Sequence, residues 1–260
     1  MVRTLRPRHS AAARSQPVPR VLPAQCVHPV PPAKSGKPVV RRQARGARTR
    51  DAILRRAVDI ASVEGLEGLT VGRLADELNM SKSGLFAHFG SKEDLQLATC
   101  EAARQLFIDE ISRPAMSAPK GMPRLWTLLD FWLGHVERQL FEGGCFFTAA
   151  SFEFDGRSGA VRDRVAAIMH EWLATLTRAV QEAQNAGHIQ PKVNVEILSH
   201  EIQSLALGAH WSFQLLKDRQ AYRRARSIIL EKLRSAATTD CPPLPAPASV
   251  NSPARPAAKK

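Results

Sequence analysis

The chain has 260 residues, of which 44% are hydrophobic and 23% charged, and its formal net charge is +13. These proportions are ordinary for a globular protein and allow a buried core, which excludes a chain that is disordered throughout. No stretch of the sequence approaches the roughly 20 consecutive apolar residues that a membrane-spanning helix needs, so none is expected.

The positive charge is concentrated in the first part of the chain. Residues 1–50 contain twelve Lys and Arg and no acid, whereas 25 basic residues face 24 acidic ones from residue 51 onward. Eight of the 18 prolines also lie in residues 1–50, and six follow Asp240. Because proline interrupts helices, we expect residues 1–46 to form a disordered basic arm and residues 238–260 a disordered Pro/Ala-rich tail. A transit peptide is a weaker interpretation of the arm, since its prolines spoil an amphipathic helix.

The cysteines indicate a reduced environment. Cys26, Cys100, Cys145 and Cys241 lie far apart and form no CxxC pair. This spacing is typical of an intracellular protein and not of a disulfide-stabilised one. Cys145, which follows two glycines, is interpreted as a small buried apolar residue, with oxidant sensing as the alternative.

The middle of the chain is predicted to be helical throughout, because no run alternates apolar and polar residues as a strand does. The predicted fold class is therefore all-α. The first four helices are expected over residues 50–64, 71–78, 82–88 and 92–112. We expect Ser81 or Lys82 to open the third helix, and Thr70 and Ser91 to act as N-caps of the second and fourth. Asn79 is expected to end the second helix in a left-handed conformation.

The two short helices and the turn between them match a helix-turn-helix, in which the second short helix enters the major groove of DNA. Small and polar residues, 81–84, open this helix and would let its end approach bases and phosphates. The residues expected to face inward and hold the pair together are Leu74, Leu78, Leu85 and Phe89. On spacing alone, a turn between two helices of a bundle with no role at DNA is the alternative.

Several positions at fixed spacing between residues 48 and 95 carry a family resemblance. The matching features are Gly65, the threonine that opens the second helix, "LA" at 74–75, Ser81, Leu85, Phe86, "HF" at 88–89 and "SKEDL" at 91–95. On these residues the segment resembles the DNA-binding domain of the tetracycline-repressor (TetR) family of bacterial transcription regulators. It departs from the family pattern at Asn79, where glycine is usual, and at "SGLF", where "GTLY" is common. Phe86 stands where a tyrosine usually offers its hydroxyl to a phosphate.

The resemblance implies a DNA-binding domain over residues 47–95. Thr70 and Lys92 match family positions that contact phosphate, while three arginines are inferred from charge and location only. The full set expected at DNA is Arg48, Arg50, Thr70, Arg73, Ser81, Lys82, Ser83, Gly84, Phe86, His88 and Lys92. The phosphate contacts would supply affinity, and the few contacts to bases would determine sequence specificity. The alternatives are a packed surface histidine at His88, a solvated lysine at Lys92 and core packing for Phe86.

The second region, residues 96–237, is predicted to contain one short helix, 144–154, and four longer ones, 123–141, 159–186, 193–217 and 219–237. The resemblance implies that this region binds a small effector. The residues implied at the effector site are Trp126, Phe131, His135, Phe147, Phe152, Glu153, Met169 and Trp172. Ordinary core packing is the alternative for the aromatic residues among them, and a surface position at a helix end is the alternative for Glu153.

The helix predicted over 193–217 has small or apolar residues on more than one face, so it must bury against more than its own domain. In the TetR family the last two long helices form the dimer. The residues implied at the dimer interface are Leu205, Gly208, Ala209, Trp211, Tyr222 and Ile229.

Enzyme motifs are missing from the sequence: "GRSGA" at 156–160 is not GxSxG, and there is no HExxH. We therefore expect no catalytic activity, no cofactor and no metal. The hypothesis is a homodimeric regulator of the bacterial cytoplasm and nucleoid, most simply a repressor, that binds a pseudo-palindromic operator in double-stranded DNA. A small effector would release it, with the fourth helix joining the two regions. The alternative is an all-helical ligand-binding enzyme or an interaction module without specific DNA binding.

Overall fold

The computed structural model describes residues 37–245, with side chains from Gly46 onward except that of Ala47. Its helices are Lys37–Glu64 (α1), Val71–Leu78 (α2), Lys82–Phe89 (α3), Lys92–Phe107 (α4), Arg113–Met116 (α5), Met122–Gly134 (α6), Phe146–Phe154 (α7), Ala160–Asn185 (α8), Val195–Leu215 (α9) and Ala221–Ala236 (α10). A π-helical turn, Ile108–Ser112, joins α4 to α5. Within residues 37–245 there is no strand, only an isolated antiparallel bridge between Ile189 and Ala237. The predicted all-α fold is confirmed.

The structure does not describe the two ends of the chain. Residues 1–36 and 246–260, which hold most of the predicted arm and tail, lie outside the described residues. By its internal contacts the chain divides after Arg41.

The helices α2, α3 and α4 each begin at a hydroxyl side chain. Thr70, Ser81 and Ser91 accept hydrogen bonds of 3.0–3.1 Å from the backbone N–H three residues later. These bonds satisfy N–H groups that the start of a helix leaves without an intrahelical partner. Asn79 ends α2 with a φ of 51°, in the left-handed region. The predicted caps at Thr70 and Ser91 and the predicted end at Asn79 are confirmed.

The helix α1 begins at Lys37 and not near Arg50, so it extends into the segment expected to be a disordered arm. Pro38 lies in its first turn, where a helix tolerates proline because the missing N–H would have no partner there. The Arg, Gln and Ala residues that follow are favourable in helices. Pro38 is therefore compatible with the start of this helix and does not prevent the helix from forming.

Two other helix ends lie five or more residues from the predicted ones. The fourth helix changes to the π-turn at Ile108, because Pro114 can neither donate to the carbonyl of Glu110 nor pack its ring under it. The sixth helix ends at Gly134 and not at Phe141. The chain turns there, and Gln139 adopts a φ of 54°.

Aromatic rings form the centre of the second region, where α4, α6, α7 and α8 meet. The Phe107 ring centroid is 5.1 Å from that of Trp172 and 6.0 Å from that of Phe147, both edge-on. Trp132 lies 4.7 Å from Trp172. Edge-on and tilted contacts are the arrangements that aromatic quadrupoles favour. None of the helices in residues 37–245 is long and apolar enough to span a bilayer.

Candidate DNA interface and ligand cavity

The helix α3 is held on α2 by apolar side chains that leave its N-terminal end uncovered. Leu74, Leu85 and Phe89 are buried, and Leu78 is partly buried against the same core. Residues 81–83 are exposed, and residue 84 is half-buried. The predicted inward face is confirmed, and it presents the polar start of α3 to the surroundings.

Phe86 extends from α3 toward solvent, with 49% of its surface exposed. The interpretation of this residue as core is therefore wrong. It follows Leu85 by about 100° around the helix, so the inward positions belong to Leu85 and Phe89. His88 is half-buried, and its ring centroid is 6.2 Å from that of Phe89. Without a hydroxyl, Phe86 can offer only apolar surface, such as contact with a thymine methyl.

Lys82 and Arg50 supply positive charge beside α3. Among the described residues Lys82 has no ion-pair partner, and its Nζ would be 3.6 Å from a Cβ built at Gly72, in the first turn of α2. The Arg50 guanidinium lies 5.0 Å from the Phe89 ring centroid. This cation–π contact holds the charge at the surface. Arg48 is exposed.

Arg73 is already paired with two carboxylates. Its guanidinium donates to Glu64 and to Glu77, each at 2.8 Å. Glu77 also accepts from Arg56 at 2.6 Å. The hydrogen bonds to Glu64 and Glu77 raise the pKa of Arg73 above its ordinary value. Contact with a phosphate requires this network to rearrange, so the role of Arg73 at DNA stays a prediction.

Lys92 lies at the start of α4 and pairs with Glu67, with Nζ 2.6 Å from Oε1. The hydrogen bond from Lys92 lowers the pKa of the Glu67 carboxyl. Glu67 also lies 3.2 Å from Arg157. The Lys92 and Glu67 side chains are 40% and 46% exposed, and an exposed pair of this kind contributes little stability. A phosphate group can therefore compete with Glu67 for Lys92.

A cavity of about 180 Å³ opens among the aromatic rings of the second region. Its apolar wall is formed by Phe107, Ile108, Trp132, Phe147, Ile168, Met169 and Trp172. Three of the residues expected at an effector site, Phe147, Met169 and Trp172, lie in this wall. At the solvent-exposed edge, Arg104 and Glu171 form an ion pair of 2.6 Å. The cavity thus combines an aromatic interior with a charged edge.

The remaining expected effector residues do not line this cavity, and their role at an effector site stays a prediction. His135 is buried behind the wall, edge-on to Phe107 at 6.0 Å. Trp126 and Phe131 are partly buried against the core. Phe152 is 56% exposed, because α7 turns this position away from the rings.

Glu153, at the end of α7, contacts the DNA-binding region and not the cavity. Its Oε2 accepts the Leu66 N–H at 2.7 Å, and its Oε1 accepts the Glu67 N–H at 2.8 Å. A glycine is required at Gly65, where φ is 83° and a Cβ would lie 3.0 Å from Glu153 Oε1. The loop between α1 and α2 is therefore fitted around this carboxylate.

The cavity includes polar residues that the sequence did not indicate as its lining. They include Arg104, Cys145, Thr148, Glu171 and Gln203. They lie on or beside four helices and form no motif, so only tertiary packing brings them together. The interpretation of Cys145 as a buried residue is confirmed, since it is 5% exposed, but its position on the cavity wall was not foreseen.

Two family models match the chain. The model described as "Bacterial regulatory proteins, tetR family" matches residues 53–99, and "Tetracyclin repressor-like, C-terminal domain" matches residues 121–229. The chain belongs to the TetR family. It is accordingly a DNA-binding transcription regulator, and the two matched segments coincide with the helix-turn-helix and the cavity-bearing region.

Individual relatives agree with this family. Over 79 residues the TetR-family chain is 33% identical to the HTH-type transcriptional regulator TcmR of Streptomyces glaucescens, covering 30% of this chain and 35% of TcmR. The chain thus spans about a third of the length of that curated relative. A TetR regulator of Chloroflexus aurantiacus J-10-FL has a TM-score of 0.69 at 24% identity, over 75% of this chain and 98% of its own. A regulator of Saccharomonospora viridis, solved in complex with choline, has a TM-score of 0.61 at 17% identity, over 74% and 98%. At these identities the solved structures establish the fold.

The dimer residues expected for this TetR-family chain divide into two groups. Ala209, Tyr222 and Ile229 are buried within the chain itself, because α9 and α10 pack against each other through them. Leu205 is half-buried in the same core. Ala209, Tyr222 and Ile229 therefore offer little surface to a second copy, and the assignment of all six residues to a dimer interface stays a prediction. Gly208 and Trp211 are exposed.

An apolar surface lies next to these buried positions. Ile197, Gly208, Trp211 and Leu215 share one side of α9, and Ile228 of α10 is also exposed. We call these five residues the α9–α10 face. Exposed fractions of 61% for Ile197, 51% for Trp211 and 64% for Leu215 are high for large apolar side chains of one helix face, which is typical of an interaction surface.

Proposed function

We propose that this regulator is a homodimeric repressor whose affinity for its operator falls when a small molecule occupies the aromatic cavity. The observation that carries the proposal is that two helices, α4 and α7, each have one end in the cavity wall and the other against the DNA-binding region. A ligand that shifts either helix would move α3. A coupling of about 1–3 kcal/mol, roughly 5–150-fold in affinity, is sufficient.

The helix α4 is the first connection. Near its start, the Gln96 side chain donates to the Leu66 carbonyl at 2.8 Å, in a buried hydrogen bond. Near its end, Arg104 and Phe107 line the cavity, and the π-turn continues the wall with Ile108 and Ser112. A π-helical turn in a helix is frequently found at functional sites. The fourth helix, expected from the sequence to join the two regions, has the contacts that this role needs.

The helix α7 is the second connection. Phe147 and Thr148 in its first turn line the cavity, and Glu153 in its last turn holds the backbone of Leu66 and Glu67. Since a nine-residue helix moves as one rigid unit, displacement of its first turn is passed to the loop before α2.

The loop before α7 adds a third contact. The Gly143 N–H donates to Ser62 Oγ at 2.9 Å, and the Gly143 carbonyl accepts from Gln214 Nε2 at 2.7 Å. A Cβ at Gly143 would lie 1.8 Å from the Ser62 carbonyl oxygen. The loop therefore packs directly on the end of α1, between α1 and the last turn of α9.

The dimer would form through the α9–α10 face of two copies. The two α3 helices would then lie one helical turn of DNA apart, about 34–36 Å, and read the two halves of a pseudo-palindrome. The related fold of Saccharomonospora viridis binds choline, which supports a small molecule as the effector class without identifying it here.

The test begins with selection of bound fragments from random duplex DNA, followed by a screen for compounds that release the selected operator. Equal operator affinity with and without every compound that binds the cavity would overturn the proposal. Met169→Trp fills part of the cavity and should abolish the response, whereas Leu173→Trp, on the exposed side of α8, is the matched control and should retain it.

A further inference from the structure

Cys145 occupies a position suited to a reactive thiol. It is the residue that precedes the first turn of α7, and it forms part of the cavity wall. Free N–H groups and the helix dipole at a helix start favour a negative charge. A thiolate at this position is therefore stabilised, and it faces the space that a ligand would occupy.

His135 is the base that interacts with this thiol, since it lowers the pKa of Cys145. It is only 2% exposed, and its Nδ1 is hydrogen-bonded to the Trp132 carbonyl. Since a carbonyl can only accept, the proton of the neutral imidazole is on Nδ1, and Nε2 carries the lone pair. That Nε2 is buried and has no hydrogen-bond partner among the described residues. An unpartnered basic nitrogen in an apolar core is costly, and a proton from Cys145 would satisfy it.

The Gln203 side chain offers a hydrogen-bond donor in the same cavity. Gln203 is 7% exposed, and its Oε1 accepts the Trp172 Nε1–H at 3.1 Å. This bond fixes the amide so that its NH₂ group has no partner among the described residues while Gln203 lines the cavity. Such a donor in an aromatic cavity matches the carbonyl oxygen of an apolar ligand.

The ionisable groups around Cys145 support a reactive thiol at this position. Burial raises the pKa of the Cys145 thiol, but interaction with His135 and Thr148 outweighs burial and brings the pKa to about 7. Behind them, burial and His135 lower the pKa of His210 to about 4, so His210 is neutral at pH 7.

Three further ionisable groups lie nearby. Burial, with Cys145 and Glu137, raises the pKa of Tyr222, and Tyr222 is also uncharged at pH 7. At the cavity edge the charges of Arg104 and Glu171 offset each other. His135 is thus the ionisable group that most lowers the pKa of the Cys145 thiol.

We infer that Cys145 is a nucleophile for electrophilic effectors of the α,β-unsaturated carbonyl class, which it adds to covalently inside the cavity. This inference rests on the proposed function, since it names the chemistry of the ligand at the same site. The flat, conjugated skeleton fits between aromatic rings, and the carbonyl oxygen accepts from the Gln203 amide.

The addition needs no further reactant. His135 Nε2 takes the thiol proton, and the thiolate forms an S–C bond to the β-carbon of the ligand. The π pair of the C=C bond moves to the carbonyl oxygen as an enolate, which Gln203 stabilises. The His135 imidazolium returns the proton to the α-carbon. The net change is addition of S–H across C=C, with nothing oxidised and no leaving group.

The other cysteines serve as internal controls. Cys100 is buried away from the cavity, and burial raises the pKa of its thiol to about 12. Burial also raises the pKa of Cys241. Cys26 lies outside the described residues. Reaction at Cys145 ahead of Cys100 and Cys241 is therefore expected near neutral pH.

The test uses the full chain with 2-cyclohexen-1-one, and with cyclohexanone as the saturated control. Intact-mass spectrometry and peptide mapping should find one adduct, at Cys145, that is absent in Cys145→Ser and unchanged in Cys241→Ser. In His135→Gln the labelling rate at pH 7 should fall on the order of tenfold, and its pH midpoint should rise from about 7 toward the ordinary thiol value. Labelling of Cys26 or Cys241 ahead of Cys145, or a pH profile unchanged in His135→Gln, overturns the inference.

Operator binding measured on the same samples separates this inference from the proposed function. If 2-cyclohexen-1-one releases the operator without forming an adduct, the assignment of Cys145 as a nucleophile is overturned. The proposed effector mechanism is then unaffected. If an adduct forms at Cys145 and operator affinity is unchanged, the assignment of Cys145 as a nucleophile is supported. The proposed effector mechanism is then overturned. Circular dichroism of His135→Gln confirms that a loss of labelling is not a loss of fold. Should that variant unfold, the pH midpoint of wild-type labelling decides: near 7 supports the inference, and above 8 overturns it.

Discussion

The Glu153 carboxylate accepts a hydrogen bond from the Leu66 backbone N–H at 2.7 Å, and its second oxygen accepts the next N–H along the chain. One side chain of the cavity-bearing region thus satisfies two backbone donors of the loop that leads into α2. This contact joins the two functional parts of the molecule, and its removal should affect stability and regulation together.

Glu153→Gln should lower the free energy of unfolding by about 1–3 kcal/mol, because an amide can accept only one of the two hydrogen bonds and leaves a backbone N–H without a partner. It should also reduce the effect of a bound ligand on operator affinity. Urea denaturation and operator titration measure the two effects. Asp155→Asn, an exposed neighbour, should change neither, and an equal loss in both variants would contradict the assignment.

Lys82→Ala should weaken operator binding by at least about tenfold, since a charge-assisted hydrogen bond contributes roughly 1.5–3 kcal/mol. The slope of log affinity against log salt should become shallower by about one unit for the lost phosphate contact. Fluorescence anisotropy at several salt concentrations measures both. Lys192→Ala removes an exposed lysine away from α3 and serves as the control, so similar losses in the two variants would exclude a specific role for Lys82.

Glu67→Gln should strengthen DNA binding by about two- to fivefold, because it releases Lys92 from an exposed ion pair that contributes roughly 0.2–1 kcal/mol. The gain should disappear when Lys92 is replaced by alanine in the same chain. Operator titration of the single and double variants measures this coupling. Glu93→Gln removes an exposed acid next to Lys92, and a gain of equal size there would indicate general charge and not release of Lys92.

Trp211→Arg should convert the proposed dimer to monomers, because it places a charge in the middle of the α9–α10 face. Sedimentation velocity measures the change in mass, and operator affinity should fall with it. Phe152→Arg introduces the same charge at another exposed aromatic residue, on α7, and should leave the oligomeric state intact. A dimer that persists in Trp211→Arg places the interface elsewhere.

Acidification should destabilise the protein through His210. Burial lowers the pKa of its imidazole from 6.5 to about 4, so between these values the unfolded chain binds a proton that the folded chain does not. Stability is then fully present above about pH 6.5 and falls as the pH drops toward 4, by on the order of 3 kcal/mol. Denaturation at pH 7 and pH 4.5 should reveal a smaller difference in His210→Gln than in wild type. The exposed His200→Gln should behave as wild type, and an unchanged pH dependence in His210→Gln would rule out this origin.

Local chemistry made the DNA-binding helices predictable. Thr70 and Ser91 cap the helices that follow them, and Asn79 takes the left-handed conformation, because these effects depend on neighbours within four residues in the sequence. The inward set around Leu85 follows from helix periodicity alone. Core packing, the alternative considered for Phe86, is wrong, because an apolar residue type alone does not indicate which side of a helix the residue occupies.

The cavity and the dimer surface could not be predicted in the same way. Tyr222 and Ile229 form an apolar stripe, but a stripe does not specify whether the same chain or a second copy covers it. Glu153 was assigned to a ligand from its aromatic neighbours, whereas its partners, the N–H groups of Leu66 and Glu67, are more than 80 residues away in sequence. Contacts of this range depend on how the helices pack, which periodicity leaves undetermined.

The volume of the cavity restricts which compounds deserve screening. At about 180 Å³ it slightly exceeds the ~150 Å³ space that accommodates one benzene molecule. Monocyclic compounds and short branched chains can enter with the rings as they stand. A steroid or a coenzyme thioester would have to separate Arg104 from Glu171 and extend into bulk solvent. Fragment libraries of about seven to twelve heavy atoms, the range that such a volume suggests, are therefore the first place to look for the inducer.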